Sequence, residues 1–288
     1  MSEAKQFVRD LVDSGIHFGH RTSRWNPKMK PYIYGKKNLI HIIDVRETLK
    51  GLMAAQKFLS RLVASGRDVL FVGTKRQARS VVEEVGKQTG MPVVIERWLG
   101  GTLTNFRTIR SRLQRLEELE RILQSPELNK NYSKKMESSL KREYQKILRN
   151  LAGIRTMDRL PGAMFVVDVR RENIAILEAR KLGIPVVGII DTDSNPDLID
   201  IAIPGNDDAM RGIDLLMKQI AAAINEGKAG RVAKEEQDKA QQQQQRPSRG
   251  RRRTTTAEAE DAAAQIEKPQ AAATASPAGD AAAPATNA

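Results

Sequence analysis

Short, wholly apolar runs alternate with helical segments along most of the chain, and this alternation constrains the fold more than any other feature. The predicted strands are 39–43, 68–73, 92–95, 163–167, 185–190 and 201–203. Helices are predicted at about 47–64, 75–88, 174–179 and 208–225, with a short amphipathic helix at 7–12. Strands that are apolar on both faces are typical of a parallel sheet covered by helices on each side. The sequence therefore predicts a three-layer α/β sandwich.

Residues 106–155 interrupt this alternation with two helical runs. Apolar residues recur there at steps of three and four: Phe106, Ile109, Leu113, Leu116, Leu119, Leu123, then Met136, Leu140, Tyr144, Ile147, Leu151 and Ile154. Turn-forming residues at 125–131 separate the runs, so we predict an antiparallel coiled-coil hairpin with arms of roughly 27 Å. The stretch contains 13 Arg and Lys against 6 Glu. It is either a basic arm that lies along a polyanion, or a solvated spacer or dimer contact.

The charge of the chain restricts the class of partner. The formal net charge is +13 and the pI is near 10.0, which favours nucleic acid, with an acidic membrane surface as second choice. The sequence has no cysteine, so disulfides, thiolate chemistry and cysteine-based zinc sites are excluded. No apolar run has the length of a membrane span and the N-terminus has no signal-peptide pattern. We therefore expect a cytosolic protein without membrane contact.

The composition changes after residue 227. Residues 241–245 are all Gln, 249–253 are rich in Arg, and the remainder is mostly Ala, Pro and Thr. Such a segment cannot bury a core, so we predict an α/β domain at 1–227, including the 106–155 hairpin, and a disordered tail at 228–288. The tail has 10 basic and 8 acidic residues, so the domain carries +11 of the net charge of +13.

The segment 14–43 has no carboxylate and six cations: Arg21, Arg24, Lys28, Lys30, Lys36 and Lys37. Phe18, Trp25, Tyr32 and Tyr34 lie among them, in what we interpret as a loop marked by Asn26-Pro27, Lys30-Pro31 and Gly35. Cations bind phosphates and aromatic rings stack on bases, so this combination fits RNA. The alternative is that the aromatic rings attach the loop to the core.

Residues 72–79 lead from a predicted strand into a helix, where doubly wound folds bind phosphates. Lys75, Arg76 and Arg79 lie in the first turn of that helix, where cations oppose the helix dipole at a cost of about 0.3–1 kcal/mol each. An anion docked at this position would explain them. The glycine spacings of nucleotide-binding loops are missing, so we expect a phosphate of a nucleic-acid backbone and no nucleotide.

Residues 97–105 connect the third predicted strand to the hairpin. Two adjacent glycines let the backbone approach another surface, and hydroxyl and amide side chains can bind phosphate or cap the following helix. The candidates here are Arg97, Trp98, Thr102, Thr104 and Asn105.

Enzyme signatures are weak throughout the chain. The nucleophile-elbow, zinc-protease and kinase motifs are absent, and we expect no catalytic residue, no cofactor and no small-molecule substrate. A divalent metal site is an open alternative if His17 and His20 meet Asp191, Asp193 and Asp197. Otherwise these residues cap turns or form hydrogen bonds within the loops.

Seven segments resemble those of a known family. They are GIHFGH at 15–20, RWNPKMKPYIYG at 24–35, FVGTK at 71–75, RWLGGTLTN at 97–105, PGA at 161–163, GIPVV at 183–187 and DTDSNP at 191–196. In this order they resemble the bacterial small-subunit ribosomal protein S-two family over residues 4–224. The tail is not part of the shared pattern.

The resemblance implies a flavodoxin-like or Rossmann-like domain with an inserted coiled-coil hairpin, located between the head and body of the small subunit. It also implies binding to small-subunit ribosomal RNA and to neighbouring ribosomal proteins, including the messenger-binding protein S-one. The residues predicted to bind RNA are Arg21, Arg24, Trp25, Asn26, Lys28, Lys30, Lys36, Lys37, Lys75, Arg76, Arg79, Arg97, Trp98, Thr102, Thr104, Asn105, Arg107 and Arg110. The rival hypotheses are an enzyme that binds nucleotides or sugar phosphates and a free regulatory nucleic-acid-binding protein.

Overall fold

Five parallel strands form the central sheet in the computed structural model, which describes residues 3–125 and 133–244. The strands are β4 (Val69–Val72), β5 (Val93–Val94), β6 (Ala163–Val167), β7 (Val186–Ile190) and β8 (Ile201–Pro204). Their order is β5-β4-β6-β7-β8, and every residue of β4, β6 and β7 is buried. This explains why the runs are apolar without alternation, since both faces of the sheet are covered.

Helices cover the two faces of the sheet. On one face, α2 (Val45–Ala64), α3 (Arg76–Thr89) and α7 (Met210–Gln244) pack around Phe71 and Phe165. Because side chains alternate along a strand, the neighbouring residues of these strands point to the opposite face. There Leu70, Val72, Met164 and Val166 meet α6 (Asn173–Lys181) and residues of the hairpin helices described below. The predicted three-layer α/β fold is confirmed.

The N-terminal segment differs from the prediction. The run 39–43 is not part of the parallel sheet, because β3 (Ile40–Ile43) lies between β1 (Phe18–Arg21) and β2 (Ile33–Lys37) in a separate antiparallel sheet. Asn38 and Leu39 have φ values of 51° and 62°, the left-handed pair of a tight hairpin turn that joins β2 to β3. The predicted loop is therefore an ordered sheet with a 3₁₀ helix at Pro27–Tyr32, preceded by α1 (Glu3–Asp13).

Two antiparallel helices form the insertion, α4 (Phe106–Gln124) and α5 (Lys134–Leu151). Leu113, Leu116 and Leu119 are buried along α4. Arg115 of α4 lies 3.4 Å from Glu143 of α5. Arg112, one turn earlier in α4, lines a groove with Lys146 and Asn150, which lie further along α5. The two helices therefore run antiparallel. The helix pair agrees with the predicted hairpin, whereas its supercoiling remains a prediction and most of the predicted turn, 126–132, lies outside the described residues.

The last helix extends beyond its predicted end at residue 225. Helix α7 continues to Gln244 and crosses the boundary predicted at residue 228, because 226–240 is rich in Ala, Glu and Lys, which favour helix. The chain divides into one unit at Met1–Gln241 and a second at Gln242–Ala288. The part of the predicted tail at 245–288 lies outside the described residues. In the part that is described, no helix has the length and apolar character to span a bilayer.

Candidate nucleic-acid interface

The crevice at the carboxyl ends of β4 and β6 is where a doubly wound sheet would bind a ligand. After β4 the chain continues to β5 on one side of β4, and then returns to β6 on the other side of β4. The strand order therefore reverses between β4 and β6, which is the topological switch point of the sheet. Thr74 and Lys75 follow β4, and Asp168 follows β6 with a φ of 68°. Carboxylates of the protein already bind the Thr74 N–H and the Lys75 ammonium in this crevice.

Glu172 is the first of these side chains. It is 3% exposed, and its Oε1 accepts a hydrogen bond from the Thr74 backbone N–H at 3.2 Å and another from the Thr74 hydroxyl. Arg171 donates from Nε to the same hydroxyl at 2.9 Å. Burial raises the pKa of Glu172 above its usual range, although the bonds from Thr74 oppose this shift. A backbone N–H after β4 is thus already satisfied by a carboxylate of the chain.

Lys75 is the second. Its Nζ lies 2.7 Å from Asp207, 2.6 Å from Asp208 and 3.5 Å from Asp168. Burial alone would lower the pKa of Lys75, but the bond to Asp207 and the surrounding negative charge raise it. Burial also raises the pKa of Asp207 to about 8, together with the charges of Asp168 and Asp191 and against the effect of Lys75. The anion that we expected at Lys75 is therefore supplied by the protein's own carboxylates.

His20 lies at the edge of the same acidic cluster. Its Nε2 is 3.7 Å from both Asp191 and Asp193 and 3.8 Å from Asp207. Gly19 makes this possible, because a Cβ there would lie only 2.5 Å from the Thr192 side chain, so the strand can approach the loop after β7 only with glycine. The His20 backbone N–H then donates to the Thr192 hydroxyl at 2.9 Å.

This arrangement settles which predicted metal ligands meet. His20, Asp193 and Asp207 offer ligand atoms that all lie within 4.8 Å of one another, a set able to hold one divalent ion. Asp207 is a member of this set that the sequence analysis did not name as a ligand. Asp197 is instead bound to Lys28. His17 is not part of the set, and its Nδ1 is buried without a hydrogen-bond partner among the described residues.

The loop 97–105 is folded around Glu178 of α6. Trp98 Nε1 donates to this carboxylate at 3.0 Å, and the backbone N–H groups of Gly101, Leu103 and Thr104 donate at 2.8, 3.0 and 3.2 Å. The Thr104 hydroxyl adds a fifth bond at 3.2 Å. Burial alone would raise the pKa of Glu178, but the five bonds lower it.

Several predicted RNA ligands have inward roles in this loop and its surroundings. Trp98 and Thr102 are 8% and 2% exposed, and the Thr102 hydroxyl donates to the Leu99 carbonyl at 2.6 Å. These two side chains shape the loop, and their direct contact with RNA stays a prediction. Asn105 precedes α4 without capping it, and its Oδ1 accepts from the Thr108 hydroxyl at 2.8 Å.

The segment before β2 shows the same mixture of roles. Asn26 caps the 3₁₀ helix by accepting from the Lys28 N–H at 3.0 Å. The half-buried Trp25 ring lies 5.0 Å from the His41 ring, which is the packing alternative of the sequence analysis. Trp25 and Asn26 therefore support the fold of this segment, and their contact with RNA stays a prediction.

The predicted cations separate into two groups by their partners. Four are bound to carboxylates: Lys28 to Asp197, Lys75 to three aspartates, Arg79 to Glu96 and Arg110 to Asp158. Eight others are exposed and have no carboxylate partner among the described residues: Arg21, Arg24, Lys30, Lys36, Lys37, Arg76, Arg97 and Arg107. Phosphate oxygens can reach this second group without breaking an ion pair.

Glu172 and Glu178 were missed by the sequence analysis. A signal for Glu178 was present, because Ala175, Ile176 and Ala179 around it are buried, so an acid lies on the buried face of a short helix. The larger apolar residues Ile174 and Leu177 of the same helix are exposed, so hydrophobicity alone does not identify the buried face. For Glu172 no comparable signal exists, since its partner Thr74 is about a hundred residues away in the sequence.

Fold and site together define a class, that of basic α/β proteins whose crevice residues bind one another and whose exposed cations have no carboxylate partner among the described residues. A sequence model described as "Ribosomal protein S2" matches residues 11–227. The chain is similar to "Small ribosomal subunit protein uS2" of Rhodopirellula baltica, with 59% identity over 225 residues that make up 78% of this chain and 86% of the relative. Proteins of the same description from Syntrophobacter fumaroxidans and Acidothermus cellulolyticus are 49% and 50% identical over 231 residues, 80% of this chain and 84% of each relative.

The chain therefore belongs to the ribosomal protein S2 family, which is the family indicated by its sequence motifs. It is a structural, non-enzymatic protein of the small ribosomal subunit, so the enzyme hypothesis is wrong and the expected ribosomal location is confirmed.

Proposed function

We propose that this chain binds small-subunit ribosomal RNA through its eight exposed, unpaired cations. One observation carries the proposal: all eight are exposed, and within the described residues none has a carboxylate partner. Unpaired cations close in space repel one another, and phosphates relieve this repulsion while counterions are released from the RNA. The four carboxylate-bound cations have less to gain from RNA, so we assign them to the fold.

The eight cations belong to two surfaces. Arg21, Arg24, Lys30, Lys36 and Lys37 belong to the N-terminal antiparallel sheet and its connections, which we call the sheet surface. Arg76 lies at the start of α3, Arg97 begins the 97–105 loop, and Arg107 lies just after that loop. We call these three residues the loop surface. Arg79 and Glu96 connect the two parts of the loop surface, because their side chains are 3.3 Å apart. Ordered supports of this kind fix the register of phosphate contacts.

The test is the salt dependence of RNA binding by the full chain. Each phosphate contact that is lost lowers the slope of log affinity against log salt by about one unit. We expect the double variant R97A/R107A to lower the slope by about two, and K36A/K37A to do the same for the sheet surface. The control is K218A, which removes an exposed lysine bound to Asp214 at 2.7 Å on α7. Slopes equal to that of the control in both double variants would contradict the proposal.

We further propose that the sheet surface carries a docking site for the messenger-binding protein S-one. Tyr34 and Leu39 are 79% and 75% exposed on β2 and its turn, and Phe18 is 45% exposed on β1 of the same sheet. Exposed aromatic rings in one small sheet are typical of a protein contact. The neighbouring lysines would add charge steering.

Binding of purified S-one by the full chain tests this docking site. We expect Y34A to weaken binding about tenfold or more, because aromatic anchors dominate such contacts. M53A is the control, since Met53 is 67% exposed but lies on α2, outside the sheet surface. Equal affinities of Y34A and the unchanged protein would place the docking site elsewhere.

A further inference from the structure

One buried carboxylate organises the loop surface. Glu178 is 8% exposed and accepts hydrogen bonds from the Trp98 indole, from three backbone N–H groups at Gly101, Leu103 and Thr104, and from the Thr104 hydroxyl. Two donors on Oε1 and three on Oε2 fill the roughly four lone-pair sites of the carboxylate. The loop that donates them is 74–80 residues away in the sequence.

The charge of Glu178 has no cationic partner among the described residues, so these donors alone compensate it. Backbone N–H groups that converge on an anion form a nest, and the anion then determines the path of the backbone. Gly101 has a φ of 87°, which places its N–H toward Glu178 in a conformation that residues with a side chain rarely adopt. Without the anion, three backbone N–H groups would lose their acceptor, among them the buried N–H of Leu103.

The residues that flank this nest face outward. Arg97 precedes Trp98, whose indole is bound to the carboxylate, and Arg107 follows the last bound residue, Thr104, by three positions. Both arginines are exposed. The distance and direction between their guanidinium groups therefore depend on a loop whose shape Glu178 determines.

We propose that Glu178 is a positioning residue of the RNA interface, which holds the loop 97–105 in the conformation that presents Arg97 and Arg107 to two phosphates of the RNA. This inference rests on the proposed RNA contact of the loop surface. Glu178 does not itself touch RNA; an anion there would be repelled by phosphate. Its effect on binding is transmitted by the backbone of the loop.

The experiment compares E178Q with E172Q in the full chain. Both variants replace a buried glutamate of the same region by its neutral isostere, but Glu172 binds Thr74 in the crevice and not the loop. We expect E178Q to weaken RNA binding about tenfold and to lower the salt slope by one to two units, because the two arginines no longer meet their phosphates together. We expect E172Q to leave both quantities unchanged.

Hydrogen exchange supplies a direct readout of the loop. The amides of Gly101, Leu103 and Thr104 should exchange faster in E178Q, whereas the amides of β4 should not change. The Asp variant E178D keeps the charge, so it should restore part of the slow exchange and part of the affinity. If both glutamates only stabilised the fold, E178Q and E172Q would each lower the melting temperature. Neither variant would then change the RNA affinity of the folded protein.

The outcomes distinguish this inference from the proposed function. If R97A/R107A weakens RNA binding while E178Q does not, the positioning role is contradicted and the RNA contact stands. If neither changes binding, the RNA contact of the loop is contradicted, and the positioning role with it. If E178Q does not fold, W98F is the alternative variant, because it removes the indole donor to Glu178. We expect W98F to bind RNA about threefold more weakly than the unchanged protein. Unchanged binding would contradict the positioning role.

Discussion

Two buried glutamates, Glu172 at the N-terminal cap of α6 and Glu178 in its C-terminal half, have opposite electrostatic environments. Glu178 accepts five hydrogen bonds and its pKa lies below the usual range, because together these bonds outweigh the effect of burial. Glu172 accepts two bonds, both from Thr74, and Asp168 adds repulsion to the effect of burial, so its pKa is raised. The deeper burial of Glu172 and the larger number of donors that face Glu178 together account for the opposite signs.

These opposite shifts predict opposite pH dependences of stability. A lowered pKa means that the unfolded chain binds the proton more tightly, so the stabilisation by Glu178 is complete at neutral pH and is lost as the pH falls through about 4. A raised pKa means that the folded protein binds the proton more tightly, so the contribution of Glu172 is greatest at acidic pH and is lost as the pH rises toward neutral.

Urea unfolding of E178Q and E172Q between pH 4 and pH 7 measures both effects. We expect the deficit of E178Q relative to the unchanged protein to grow with pH, and any deficit of E172Q to shrink over the same interval. Parallel curves for the two variants would show that the two environments do not differ as described.

At the scale of elements, helix α7 packs closely on α2. A Cβ at Gly227 would lie 2.5 Å from the Ser60 carbonyl oxygen of α2, whereas a Cβ at Gly230, one turn later, meets nothing within 4 Å. The two glycines are therefore a matched pair on one helix. One permits the contact between helices, and the other faces open space.

We expect G227A to destabilise the protein by about 1–3 kcal/mol, because the added methyl forces the helices apart. G230A should stabilise it by about 0.5–1 kcal/mol, because alanine is the better helix former. Urea denaturation of the two variants measures both changes. If G227A is as stable as G230A, the α2–α7 contact adapts to the added methyl group at little cost.

The elements also show what the sequence can predict. The strands 68–73, 163–167 and 185–190 could be predicted because a strand covered on both faces is apolar on both faces. This pattern is visible in the sequence without knowledge of the neighbouring strands. The run at 39–43 is equally apolar, but which sheet it joins depends on the hairpin turn at Asn38 and Leu39, two residues with no strong turn signal of the Asn-Gly type. The end of α7 was placed too early because the change in composition near residue 227 was taken for the end of the helix.

For the interface, the sequence identifies the cations and not their partners. Lys36 and Lys75 are the same residue type, but Lys75 meets carboxylates of the segments that follow β6 and β8, whereas Lys36 is exposed. Such partners are 93 and 132 positions away, a separation that no local pattern encodes. Exposed, unpaired cations could therefore be separated from structural ones only with the fold known.

At the scale of the whole molecule, positive charge is concentrated in the part that carries both surfaces. Residues 245–288 contain six basic and five acidic residues, so residues 1–244 hold +12 of the net charge of +13. Counterion release depends on cations that reach phosphates together, and the charge of residues 245–288 is nearly balanced. The sheet surface and the loop surface should account for most of the RNA affinity.

A chain ending at residue 244 tests this distribution. We expect it to bind small-subunit ribosomal RNA with an affinity within about threefold of the full chain and with a salt slope within about one unit. Combining this truncation with R97A/R107A should lower the slope by the same amount as R97A/R107A alone. A loss of several units on truncation would assign the principal RNA contact to residues 245–288.

The crevice filled by Glu172, Lys75 and the aspartates has a consequence for regulation. In proteins that bind a nucleotide at this position, occupancy follows the concentration of the free molecule, and so do stability and shape. Here the partners of Thr74 and Lys75 are covalently part of the chain, so their effective concentration is constant. We therefore expect the surface around this crevice not to vary with the supply of nucleotides, and a thermal shift of the full chain on addition of ATP or GTP would contradict this expectation.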